Sequence, residues 1–194
     1  DGLYRDAILR FDELISDYGY SDVSDLVFFR GECYFALQIY DQAQADYQSV
    51  VDHIDIGPTK RTAIARLISI SGDRSKTAQV SDLWKQYQDL SDVNKDADYW
   101  RTADASARYL FLGHEWKTAR DIFDSFPQKS ERYIDAKLMG ADCSLDLQEF
   151  DDAHSRYQAI IDGKLPVKKI PADAKREARL KIGYIEYFRD DFSL

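Results

Sequence analysis

The chain has 194 residues, 44% of them hydrophobic, and a formal net charge of −9 from 35 acidic and 26 basic side chains. That apolar share builds a packed core and excludes a disordered tail, while four prolines and nine glycines are too few for the turns of an all-β protein. An acidic surface repels a phosphate backbone, and the longest basic cluster (Lys164, Lys168, Lys169) is short, so no nucleic-acid partner is expected. No apolar run reaches the roughly 18 residues that span a bilayer, so direct membrane insertion is not expected either.

In chain order, the first predicted helix runs from Leu3 to Ile15 and places Ala7, Phe11, Leu14 and Ile15 on one stripe. An alanine followed by apolar residues at +4, +7 and +8 marks a single helix face that needs cover. A second helix carries Phe29, Cys33, Phe35 and Ala36, and a third repeats the stripe as Ala43, Tyr47, Val50 and Val51. From Pro58 to Leu90 the pattern weakens. A helix with Ile64, Ala65, Leu67, Ile68 and Ile70 is expected to turn at Gly72 into one with Ala78, Val80, Leu83, Trp84, Tyr87 and Leu90. No aromatic precedes Ala78, where Arg74 or Ser75 holds the place, and a longer exit is expected before Tyr99. The stripe returns as Ala119, Phe123 and Phe126, then as Ala153, Tyr157, Ile160 and Ile161. A last helix, Ala172 to Phe188, holds Gly183 and Tyr187, with Phe192 beyond it in the place of a turn aromatic.

The elements are self-similar. An aromatic stands three residues before each marking alanine (Tyr4, Tyr40, Trp116, Phe150), and a small residue stands twelve before three of them (Gly31, Ala107, Ala141). The alanines at 7, 43, 119 and 153 leave one interval about twice the others, which must hold a hidden unit. The stretch Gly31-Glu32-Cys33-Tyr34-Phe35, then Tyr40-Asp41-Gln42-Ala43, then Tyr47 and Val50, resembles the tetratricopeptide repeat family; the unit ending Phe150 to Tyr157 resembles it nearly as well. The resemblance implies an all-α, right-handed superhelical solenoid of antiparallel helix pairs. Its units are expected at 1–22 (a second helix alone), 23–57, 58–98 (divergent), 99–132, 133–170 and 171–194 (a first helix alone), the pattern of a piece cut from a longer array.

Chemistry is not expected. His53, His114 and His154 fall in different units with no i, i+4 ligand spacing, so no metal site follows. Cys33 and Cys143 share one repeat position, that of a small buried side chain. The paired acids Asp12-Glu13, Asp151-Asp152 and Asp190-Asp191 point apart on their helices, and Asp151 and Asp152 suit a helix N-terminus. No phosphate loop, dinucleotide turn or nucleophile elbow is present, so neither an enzyme nor a cofactor is expected.

The family resemblance implies that first helices line a groove for a protein or peptide partner. The candidate groove residues are Phe28, Glu32, Phe35, Arg66, Arg101, Arg108, Phe111 and Tyr184. Two readings stand side by side. Either Arg66, Arg101 and Arg108 form a basic patch for an acidic peptide, or the aromatics pack between helices and the arginines pair with acids such as Asp104. The family's clamp for chaperone tails needs lysines and asparagines where this chain has Phe28, Glu32, Thr62 and Arg66, its one asparagine being Asn94. Two further expectations are self-association through the array ends and, from the style of Tyr34-Phe35-Ala36-Leu37 and Tyr40-Asp41-Gln42-Ala43, a resemblance to bacterial cell-envelope assembly proteins. That resemblance suggests the periplasm, with the cytoplasm as the alternative.

Overall fold

The computed structural model describes residues 2–18, 23–90 and 95–191. The expected turn aromatic Phe192, Asn94 and the side chains of Asp190 and Asp191 lie outside the described residues. The described residues form ten helices and no strand: α1 (Gly2–Tyr18), α2 (Ser24–Ala36), α3 (Tyr40–His53), α4 (Pro58–Asp73), α5 (Thr77–Leu90), α6 (Ala97–Leu112), α7 (Trp116–Asp124), α8 (Tyr133–Asp146), α9 (Phe150–Asp162) and α10 (Ala172–Asp191). They fall into two compact units, 1–102 and 103–194, with the division inside α6. The all-α expectation holds.

One turn, used four times, explains why these helices form hairpins. Gln38, Ser75, His114 and Gln148 take φ between 56° and 65°, a left-handed conformation that non-glycine residues rarely adopt. Each stands one residue before the N-cap of the following helix, and paired hydrogen bonds hold it. Gln38 N–H donates to the Phe35 carbonyl and Ile39 N–H to Tyr34, at 3.0 and 2.9 Å. The same pair recurs at Ser75 and Lys76, at His114 and Glu115, and at Gln148 and Glu149. These bonds satisfy carbonyls that a helix end otherwise leaves orphaned, which offsets the roughly 1–2 kcal/mol of left-handed strain. The second residue of each pair then accepts the first bond of the next helix, from Ala43, Val80, Ala119 and Ala153 respectively.

That bond corrects the register of the hidden unit. Val80, not Ala78, stands in the place of Ala43, and it is fully buried while Ala78 is exposed. Thr77 therefore occupies the aromatic place, Ile68 the place of Gly31 and Trp84 that of Tyr47. The left-handed turn residue is Ser75 rather than Gly72, whose carbonyl accepts the Ser75 N–H.

In the first unit each helix from α1 to α5 packs on its neighbours in sequence, and α2 also touches α4. Trp84 and Tyr87 of α5 then cluster with Tyr99 at the start of α6, with ring centroids 5.6–6.1 Å apart. In the second unit α7 packs on α8, α8 on α9, and α10 covers both α8 and α9. Its core joins Leu138, Ala141, Ala153, Tyr157, Ile160, Ala178, Ile182 and Ile185. Burying a large apolar side chain contributes about 1.5–3 kcal/mol, so this periodic stripe is the main source of helix stability. Gly31 is required by close approach: a Cβ there would lie 3.1 Å from the Tyr47 ring and 3.2 Å from the Asp46 Cβ. At Gly183, the equivalent place in α10, a Cβ would meet nothing within 4 Å.

Candidate functional site

In each unit a buried tyrosine joins an acid and a cation. In the first unit the Tyr47 hydroxyl donates to Glu32 Oε1 at 2.5 Å, and Arg66 of α4 reaches back to both Glu32 oxygens at 2.8 Å. In the second unit, at the same register, the Tyr157 hydroxyl donates to Asp142 Oδ1 at 2.6 Å, and Lys181 of α10 meets that oxygen at 2.8 Å. Each triad joins one hairpin to the first helix of the next. Burial and the adjacent carboxylate push both phenols well above their ordinary pKa. Burial alone would raise Glu32, but the hydrogen bonds from Arg66 and Tyr47 hold it below its ordinary value.

A second set of ion pairs ties α1 to α2 and α7 to α9. Arg30 joins Asp12 of α1 to Asp46 of α3, at 2.7 and 2.6 Å. In the second unit Arg156 of α9 reaches Asp124 of α7 at 2.8 Å and Asp152 at 2.6 Å. Gly140 makes room for it, since a Cβ there would lie 3.2 Å from Asp124 Oδ1 and 3.5 Å from Arg156 Nη1. Asp152 thus bonds Ser144 and Arg156 and does not cap its helix, which has no side-chain cap. Asp96 does cap one: its Oδ1 accepts the Tyr99 N–H at 2.9 Å while Arg61 grips both carboxylate oxygens. The Arg61 bond, with that N–H, lowers the Asp96 pKa to about 2.

The groove candidates divide accordingly. Phe28 is half-buried, 6.0 Å from the Tyr47 ring. Phe35 lies between Tyr40 and Tyr47, and the Arg66 guanidinium stands 4.8 Å over its face. The three arginines are all paired: Arg66 with Glu32, Arg101 with Asp98 at 2.7 Å, and Arg108 with Asp104 and Asp135. Of these, only the Arg101 pair is largely exposed on both sides (74% and 70%), where an ion pair is weakest. Phe111 is half-buried near the end of α6. Tyr184 is 52% exposed, on a stripe with Leu180 and Tyr187 at 69% and 64%.

Each unit carries an open cleft beside these residues. In the first, about 480 Å³ is lined by Leu3, Tyr4 and Phe11 of α1 and Phe29 and Phe35 of α2, with Glu32 and Arg66 at the rim. In the second, about 1010 Å³ lies between the α8–α9 turn and α10, lined by Leu145, Asp146, Phe150, Leu180, Lys181, Tyr184, Phe188 and Arg189. Of this second set Tyr184 is one of the candidate groove residues, and Leu145 and Leu180 also stand at groove positions that the family resemblance implies. The stripe Leu180, Tyr184, Phe188 at i, i+4 is legible as a helix face, but Phe150 and Asp146 join it only through packing. Cys33 and Cys143 are buried free thiols, and burial pushes the Cys143 thiol up to about 12. Among the described residues no group of three or more histidine, cysteine or acidic side chains gathers as a metal site, and no helix is long and apolar enough to cross a membrane. Compared with known proteins, the sequence matches no family model and no curated protein.

Proposed function

We propose that the chain is a non-enzymatic scaffold of tetratricopeptide type that holds a peptide or protein segment on the face of its first helices. The observation that carries this reading is the recurrence, at one register, of the left-handed hairpin turn and of the tyrosine–acid–cation triad. Repeats stacked as a solenoid need this kind of tie between neighbours, because each hairpin alone leaves an apolar face uncovered. The exposed stripe Leu180, Tyr184, Tyr187 and the two aromatic clefts supply the surface a partner needs. With each candidate arginine already paired, an acidic peptide gains less from this face than apolar or aromatic side chains do.

Panning a random peptide display library against the full chain tests the reading. Selected peptides are expected to lose roughly tenfold in affinity on Tyr184→Ala or Phe35→Ala, the scale of a binding hot spot. Peptides indifferent to both substitutions would remove the groove from the proposal. A second reading, end-to-end assembly, draws on Leu3 and Leu9 of α1, which are 86% and 62% exposed. Light scattering that grows with concentration, and is abolished by Leu9→Glu, would favour it.

A further inference from the structure

The second unit's cleft contains a charge without a partner. Of the ionised groups that line it, Lys181 is bound to Asp142 at 2.8 Å and Arg189 is bound to Asp151. Asp146 forms no hydrogen bond or ion pair with any described residue. It is the last residue of α8, where the helix ends in partial negative charge, so the field at this corner already favours a cation. Asp146 is exposed to water at the mouth of the cleft; partial desolvation and the neighbouring Asp142 raise its carboxyl above its ordinary pKa, while Lys181 and His114 pull the other way. Asp146 is the carboxylate of the lining, and the lining's two cations, Lys181 and Arg189, are each held by a carboxylate outside it, in a chain of net charge −9.

The walls suit the same occupant. Tyr184 and Phe188 stand with ring centroids 4.4 Å apart, and Phe150, Leu145 and Leu180 complete an apolar lining. Ring faces attract a guanidinium or ammonium, and the methylene stem of such a side chain covers apolar surface. A purely apolar occupant would strip water from Asp146 and return nothing for it, and an acidic one would meet Asp146 while Lys181 and Arg189 are already held by Asp142 and Asp151.

We propose that this cleft takes a basic side chain, best an arginine, presented between apolar residues of a peptide partner, with Asp146 as counter-ion and Tyr184 as the stacking wall. The inference rests on the scaffold reading of the same face and names the class of ligand it holds.

Fluorescence anisotropy on the full chain tests it with four labelled, capped peptides of alanine and leucine. They differ at one central residue: arginine, lysine, norleucine or glutamate. The arginine peptide is expected to bind roughly tenfold tighter than the norleucine peptide, with lysine between them and glutamate weakest. Asp146→Asn should erase the preference for arginine over norleucine while leaving the circular-dichroism spectrum and melting temperature unchanged. Tyr184→Ala should weaken both peptides. Equal binding of the arginine and norleucine peptides would mark the cleft as merely apolar and overturn the proposal, as would a preference that survives Asp146→Asn. Self-association abolished by Tyr184→Ala and not competed by the arginine peptide would assign the cleft to a second copy, and also overturn it. If none of the four peptides binds while library-selected peptides still depend on Tyr184, the basic-ligand inference falls and the scaffold reading stands. If the library also yields no groove-dependent peptide, both fall.

Discussion

In the hairpin of α2 and α3, Gly31 lies so close to the Tyr47 ring that a single added carbon would crowd it. In the hairpin of α4 and α5, Ile68 and Trp84 stand at those two places, Ile68 fully buried and Trp84 nearly so. The two hairpins share their turn and its hydrogen bonds but fill the interior differently. What the repeat preserves within this chain is backbone geometry, and the side chains need only fill the space it leaves.

Truncation of the two rings is expected to have the largest effect. Tyr47→Ala and Trp84→Ala should each cost about 3–5 kcal/mol in urea unfolding, as removal of a buried aromatic does. A cost below about 1 kcal/mol at Trp84 would refute its equivalence to Tyr47. Next, Gly31→Val should cost about 2–3 kcal/mol by overpacking, whereas Ile68→Val at the same register should cost about 1 kcal/mol by leaving a small cavity.

The two triads give a finer contrast. Tyr157→Phe should cost about 1–2 kcal/mol, because Asp142 is only 12% exposed and keeps just one cation. Tyr47→Phe should cost about 0.5–1 kcal/mol, because Glu32 is 29% exposed and retains both bonds from Arg66. Equal losses would show that the second donor does not matter.

Asp96 makes the first unit sensitive to acid. Its carboxyl is lowered from 3.8 to about 2 in the folded chain, so its contribution is full above pH 4 and is lost as pH falls toward 2. Asp96→Asn should flatten the melting-temperature profile in that window and change its slope little above it. The smallest expected effect is at the shared turn. Ser75→Gly should stabilise by about 0.5–1 kcal/mol by relieving left-handed strain, and loss of stability there would mean that the hydroxyl, not the backbone, holds the turn.

Much of this fold was legible beforehand, and the misses have particular causes. Ala43, Ala119 and Ala153 read correctly because each is followed by a buried stripe. Ala78 misled because an exposed alanine at the start of α5 looks the same in sequence as a buried one, while the true register residue is a valine. Tyr184 was legible as part of a helix stripe with Leu180 and Tyr187, and all three are exposed. Asp146 was not, since nothing local separates a carboxylate left without a cation from Asp142, which has one.

The order of helices and turns followed from the amino-acid sequence by itself, because amphipathic period and the spacing of turn residues act within a few positions along the chain. Which charges are spent and which remain was decided only by tertiary structure. Arg66 meets Glu32 from thirty-four residues away, and Lys181 crosses from α10 to Asp142 on α8, so pairing depends on how helices pack. Packing alone therefore left Asp146 unpaired among aromatic rings.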